Sequence, residues 1–165
     1  MDSLPRHIDT QATPAVKVNG LTKDFGDVQA VRGIDLTVYA GETFGFPGPN
    51  GAGKSTTISI LCTLLDPTGG TARVADFDVL TQRDDVRRNI GLVFQETTLD
   101  VYLSAAQNLE FHAELYGVPR DLVRPRMKQV LEMVGLWDRR DSLVQTFSGG
   151  MKRRLEIARG LMHSP

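Results

Sequence analysis

Eight consecutive residues hold the densest chemistry in this 165-residue chain. Gly48-Pro49-Asn50-Gly51-Ala52-Gly53-Lys54-Ser55 fits the pattern G-x-x-x-x-G-K-[S/T]. Each residue type has a task at a polyphosphate. Small residues let successive backbone N–H groups turn inward around a dense anion. Lys54 reaches the outer phosphates, and the Ser55 hydroxyl can ligate Mg²⁺. A helix that opens at the motif points its positive end at the same phosphates. Asn50, Gly51, Ala52, Gly53, Lys54, Ser55 and Thr56 are therefore the candidate nucleotide-binding residues. The plainer alternative is a glycine-rich turn with a chance lysine.

Three further places carry residue types suited to the same ligand. Ser148-Gly149-Gly150-Met151 opens a helical stretch about 100 residues downstream of the loop. A serine hydroxyl and two glycines at a helix start let backbone N–H groups approach an anion closely. The plainer reading of Ser148 is a helix N-cap, and both can hold together. Gln95 follows the apolar run Leu92-Val93-Phe94, about midway between the two glycine-rich segments. Phe25, upstream of the loop, could stack on a purine, with Val31 padding the other side of the base.

Those residues need elements to position them. Ala15-Val16-Lys17-Val18 and the stretch 21–25 have strand character, and Gly26-Asp27 supplies a turn. Ile34, Leu36 and Val38 alternate with polar neighbours, the period of a half-buried strand. The run 43–46 reads as a short strand leading into the loop. A helix is expected from Gly53 to about Leu65, stopped by Asp66-Pro67-Thr68-Gly69-Gly70. Residues 71–74 and 91–94 read as strands and 84–89 as a short helix. Beyond Gln95 the pattern turns helical. Leu109, Ala113 and Tyr116 share one side of 104–116. Val123, Met127, Val130 and Val134 form a stripe in 122–134. Leu155, Ala158 and Leu161 form a face in 148–162. The expected organisation is a lead-in over 1–14, a β-rich core over 15–96, a helical part over 97–147 and a last helix over 148–165.

Composition narrows the classes. Apolar residues make up 41% of the chain, enough for a core. Nineteen basic against twenty acidic residues leave a charge of −1, which argues against a nucleic-acid partner. The basic cluster Arg120, Arg124, Arg126 and Lys128 reads as a solvated helix face, since Asp121 and Glu132 lie beside it. His7, His112 and His163 lack ligand spacing. Cys62 is the one cysteine, so no disulfide framework exists. No run approaches the roughly 20 apolar residues of a membrane span. Met1-Asp2-Ser3-Leu4-Pro5 shows no secretory signal, so a cytoplasmic chain is expected.

Taken together, the loop, Gln95 and Ser148-Gly149-Gly150 at their spacing resemble the ATP-binding cassette family. The resemblance runs from about Val16 to the end. Ser148-Gly149-Gly150 looks like its signature motif, Gln95 like its Q-loop glutamine, and Phe25 like its adenine-stacking aromatic. Met151 stands where glutamine is commonest, a variant of the drug-resistance exporter branch. The wording Gly-Pro-Asn-Gly-Ala-Gly-Lys-Ser-Thr-Thr and Ser-Gly-Gly-Met-Lys-Arg-Arg-Leu-Glu-Ile-Ala-Arg looks most like daunorubicin-resistance exporter ATPases.

The resemblance implies an α/β fold of the P-loop NTPase class: part of an ABC-type nucleotide-binding domain, with an antiparallel β subdomain and a helical subdomain. It implies ATP and Mg²⁺, the metal held by Ser55 and Gln95. It implies a second cassette whose ATP faces Ser148, Gly149, Gly150 and Met151. A transmembrane permease partner would hold the chain at the inner face of the membrane and carry a drug-like or lipophilic substrate. The family pattern next requires an apolar strand ending in Asp-Glu, then a histidine. The sequence reaches His163-Ser164-Pro165 without it, and neither Glu96 nor Glu156 is placed to substitute. No catalytic residue is therefore assigned, and the 165 residues resemble the first half to two-thirds of a cassette. An inactive remnant and a soluble, non-transport cassette ATPase are the competing readings. Pro47 and Asp76 depart from the family pattern, which has an aliphatic residue and often glycine there.

Overall fold

Strand-forming residues on either side of Gly26-Asp27 fold back on one another as β1 (Pro14–Phe25) and β2 (Val28–Tyr39). This antiparallel pair runs in register from Pro14 opposite Tyr39 to Phe25 opposite Val28. The other edge of β1 takes β3 (Gly69–Val74), and β3 turns into the two-residue β4 (Phe77–Asp78). The sheet order is β2-β1-β3-β4, antiparallel throughout. Val18, Leu21, Ala72 and Val74 are buried on it, while Lys17, Thr71 and Arg73 between them are exposed, as the strand period requires. The computed structural model describes residues 13–49, 51–94 and 96–164. They divide into two compact units, Met1–Val86 and Arg87–Pro165.

One register shift and one turn of this sheet bear on the residues singled out above. Pairing steps from Lys23–Val31 to Asp24–Gln29, so Ala30 is an extra residue on β2. Such a bulge re-aims backbone groups near the end of a hairpin. The β3–β4 turn places Ala75 at φ 48° and Asp76 at φ 67°. Two successive positive values match the hairpin turn whose twist suits the flanking strands. Asp76 tolerates that conformation, and its carboxylate takes the Arg73 guanidinium at 3.2 Å.

The helix after the loop, α1 (Lys54–Leu61), ends four residues before the expected Leu65. Thr63 adopts φ 60°, and its N–H donates to the Ile60 carbonyl at 2.9 Å. The Leu64 N–H donates to the Ser59 carbonyl at 2.8 Å. These bonds close the helix in the manner usually reserved for glycine, so the residue types at the stop give no signal of it. A six-residue helix, α2 (Arg83–Arg88), has acids in its first turn and bases in its last, matching its dipole.

Neither 43–46 nor 91–94 is a strand. An apolar run becomes a strand only where a neighbour supplies ladder hydrogen bonds, and among the described residues neither segment has one. Phe44 is exposed accordingly. Pro47 lies in this irregular stretch, so its missing N–H interrupts no ladder.

The second unit packs α3 (Ala105–Leu115), α4 (Arg120–Met133) and α5 (Gly149–Gly160) around one core. Leu109, Leu131, Leu136 and Leu155 are fully buried there, each stabilising the unit by about 1.5–3 kcal/mol relative to exposure. Ser104 and Gln107 form a reciprocal capping box that starts α3. The expected face of α5 is shifted by one residue. Leu161 is 37% exposed, and Met162 is fully buried in its place. The buried set Leu155, Ala158, Met162 follows the 3.6-residue period beyond the last helical residue. The boundary between the two units falls after Val86, and α5 belongs to the helical core because of this set.

Candidate functional site

The phosphate-loop motif is held from below by the bulge of β2. A Cβ built on Gly53 would lie 2.3 Å from the Ala30 carbonyl oxygen and 3.2 Å from Val31 Cγ2. Only a residue without a side chain fits that approach. Gly53 also has φ 77°, a left-handed conformation. Val31 is 4% exposed and packs directly under Gly53. It forms a floor for the loop.

The loop then runs into an uncapped helix. Gly53 offers no side chain to the first turn of α1, and no acid occupies that turn. The first N–H groups of a helix lack internal partners. Here an anion can satisfy them. Ser55 is exposed beside them, and Thr56 is half-buried. Thr57 is buried, and its hydroxyl donates to the Gly53 carbonyl at 2.9 Å, fixing the turn. The Lys54 ammonium donates to the carbonyls of Gly48 and, at 2.6 Å, Pro49. It thereby ties the end of the loop to its beginning. Asn50 lies outside the described residues, as does Gln95.

Phe25 stands at the tip of the β1–β2 hairpin and is 49% exposed. Lys23, two residues earlier on β1, places its ammonium 5.0 Å from the ring centroid. Lys23 pairs across the ladder with Val31, the residue beneath Gly53. The ring, the lysine and the loop's floor thus belong to one corner of the first unit. A lysine in a strand signals only exposure, so the amino-acid pattern does not single out Lys23.

In the second unit, Ser148 caps α5. Its hydroxyl accepts from the Met151 N–H at 3.2 Å. Gly149 and Gly150 are exposed, and a Cβ on either would meet nothing within 4 Å. The fold does not require glycine at either position. Their absence of side chains leaves the backbone of the first turn open to close approach.

One turn further along, α5 grips the chain on both sides of Gln95. Glu156, 2% exposed, accepts from the Thr98 N–H at 2.8 Å. Arg153 donates to the Phe94 carbonyl and lies 3.4 Å from the Glu156 carboxylate. Arg159 donates to the Thr98 carbonyl at 2.9 Å. No periodicity argument foretells these bonds, which join residues about 60 apart in sequence.

The histidines assigned no role by spacing meet in this unit. Tyr116 stacks on His112, at 4.4 Å between ring centroids, and on His163, at 4.2 Å, and the two imidazoles lie 5.5 Å from each other. His163 Nε2 contacts the Ile90 carbonyl at 3.0 Å. His112 Nε2 and His163 Nδ1 are buried without a partner among the described residues. Burial, with Arg159 and His163 nearby, pushes His112 down to about 4. Burial also lowers His163, opposed by the Ile90 bond and reinforced by Arg126. The folded unit therefore binds fewer protons than the unfolded chain, whose histidines titrate near 6.5. Stability is complete above that value and is lost as pH falls toward 4. The helical unit should melt lower at pH 5 than at pH 7, and His112→Phe should flatten the difference. An identical melting point at both pH values would refute the linkage.

The basic residues of α4 are mostly at the surface: Arg120, Arg124 and Lys128 are exposed, and Lys128 pairs with Glu132 at 3.8 Å. Among the described residues no helix is long and apolar enough to cross a membrane. None of them form a group of three or more metal-ligating His, Cys, Asp or Glu side chains.

Known proteins are similar to this chain in sequence and in fold. The ABC transporter family matches residues 31–165. The daunorubicin/doxorubicin resistance ATP-binding protein DrrA of Streptomyces peucetius is 45% identical over 158 residues, which are 96% of this chain and 48% of that protein. The linearmycin resistance ATP-binding protein LnrL of Bacillus subtilis (strain 168) is 39% identical over 91% of this chain and 48% of its own length. The chain spans about half the length of the curated relatives it matches. Among solved structures, cbiO1 from Clostridium perfringens, part of the ABC transporter complex cbiONQ, aligns with a TM-score of 0.82. Its identity is 28%, over 92% of this chain and 62% of that one. With its glycine loop seated on a β-bulge and its Ser-Gly-Gly helix start left open, the chain belongs to the ABC transporter family.

Proposed function

We propose that this chain is the ATP-binding part of an exporter for drug-like or lipophilic compounds, acting with a separate membrane permease. The observation that carries the reading is the first turn of α1, uncapped and free of acids, behind a loop that Lys54 closes on itself. In this reading Gly51, Ala52, Gly53, Lys54, Ser55 and Thr56 receive the phosphates, together with Asn50. Ser55 holds Mg²⁺ with Gln95. Phe25 stacks on adenine, and Val31, which also supports the loop beneath Gly53, pads the other side of the base. Ser148, Gly149, Gly150 and Met151 face the ATP of a second cassette, where the open backbone of Gly149 and Gly150 accommodates the γ-phosphate. Docking on the permease places the chain at the inner face of the cell membrane. The export reading is supported by the resistance functions named for the two relatives at 45% and 39% identity.

Phosphoryl transfer relies on a positioned metal and an oriented nucleophile. The 165 residues contain no Asp-Glu pair matching the family's hydrolytic motif. We therefore expect this polypeptide by itself to bind Mg-ATP and to release phosphate no faster than buffer. Phosphate release that disappears in Lys54→Ala would overturn that expectation. For the base, Phe25→Ala should weaken ATP binding by about 1 kcal/mol, close to fivefold, as expected for loss of an aromatic contact. A fluorescence titration giving equal affinities for both proteins would remove Phe25 from the site.

A further inference from the structure

We propose that Lys23 is a positioning residue for the nucleotide base: its ammonium covers one face of the Phe25 ring and presents the opposite face to adenine. The inference rests on the reading of Phe25 as the stacking surface. The geometry is specific. The ammonium lies 5.0 Å from the ring centroid, inside the range of a cation–π contact. Among the described residues Lys23 forms no ion pair that would draw it elsewhere. Lys23 and Phe25 are alternate residues of one strand, and that end of the strand is anchored from its other edge. The Asp24 N–H donates to Thr68 Oγ1 at 2.9 Å, and the Thr68 N–H donates to the Thr22 carbonyl at 2.9 Å. The ring and its cation thus sit on a fixed piece of backbone.

The contact acts on the ring in two ways. A half-exposed phenylalanine at a hairpin tip has rotamer freedom that binding must remove. The cation removes part of it beforehand by favouring one ring orientation. It also draws π density toward its own face, which lowers the repulsion between the other face and the π cloud of a stacked purine. Lys23 acts through Phe25 and leaves the phosphates to the loop.

The test compares ATP with inorganic tripolyphosphate, which has no base, on the full 165-residue chain. Lys23→Gln should weaken ATP binding about two- to fivefold, the size of an exposed cation–π contact. Tripolyphosphate affinity should be unchanged, and Lys23→Arg should restore ATP affinity. In the Phe25→Ala background, Lys23→Gln should have no further effect. Three results would overturn the proposal: unchanged ATP affinity in Lys23→Gln, equal weakening toward tripolyphosphate, or an undiminished effect when Phe25 is absent. The reading beneath it fails separately. If Lys54→Ala binds ATP as tightly as the parent chain, the phosphate loop is misassigned. If Phe25→Ala does, the stacking surface is misassigned, and the role of Lys23 falls with it.

Discussion

Gly53→Ala is expected to destabilise the first unit by about 3 kcal/mol or more and to abolish ATP binding, through two separate costs. The left-handed conformation at φ 77° costs a residue with a Cβ roughly 1–2 kcal/mol. The new methyl would also lie 2.3 Å from the Ala30 carbonyl oxygen. That oxygen belongs to the β2 backbone and cannot swing aside as a side-chain tip could. Relief requires the loop to lift from the bulge. The turn that Thr57 stabilises through the Gly53 carbonyl would move with it. Total stability of an ordinary domain is only about 5–15 kcal/mol, so the loss is a large share. Urea unfolding and an ATP titration read the two effects. A midpoint equal to that of the parent chain would show that the loop does not rest on Ala30.

Lys54→Ala separates binding from folding. The ammonium is the one lysine charge within the motif, and its loss should lower ATP affinity by at least a hundredfold, about 3 kcal/mol. Stability should change little, because the side chain contributes only its bonds to the carbonyls of Gly48 and Pro49, both exposed. Hydrogen bonds of this kind contribute about 1 kcal/mol net. The variant should therefore retain its circular dichroism spectrum and melt while failing to bind labelled ATP. Unchanged affinity would remove the motif from phosphate binding. A collapsed melt would mean that closing the loop is the lysine's main task.

The local elements that carry the candidate site were legible in the sequence because each depends on a few adjacent residues. The phosphate loop, the Ser148 cap and the β1–β2 hairpin are all short-range. Backbone freedom, a hydroxyl two or three residues from an N–H, and strand alternation are properties of local covalent structure. The family likeness rested on the same local features and on their spacing.

Other features depend on what lies next to a residue in space. An apolar run such as 43–46 is a strand only if another strand pairs with it. α1 stops at Leu61 because Thr63 accepts a left-handed turn that its type disfavours. The bulge at Ala30 comes from the register of two strands, and together with the left-handed φ of Gly53 it explains why that residue must be glycine. Glu156 reads as one more charge on a helix until Thr98, 58 residues away, places an N–H against it. His112 and His163 come together only when the residues after α5 fold against the end of α3. Apart from the local stop of α1, the deciding contact is made after the chain folds back, between residues whose sequence separation carries no period for a pattern to reveal.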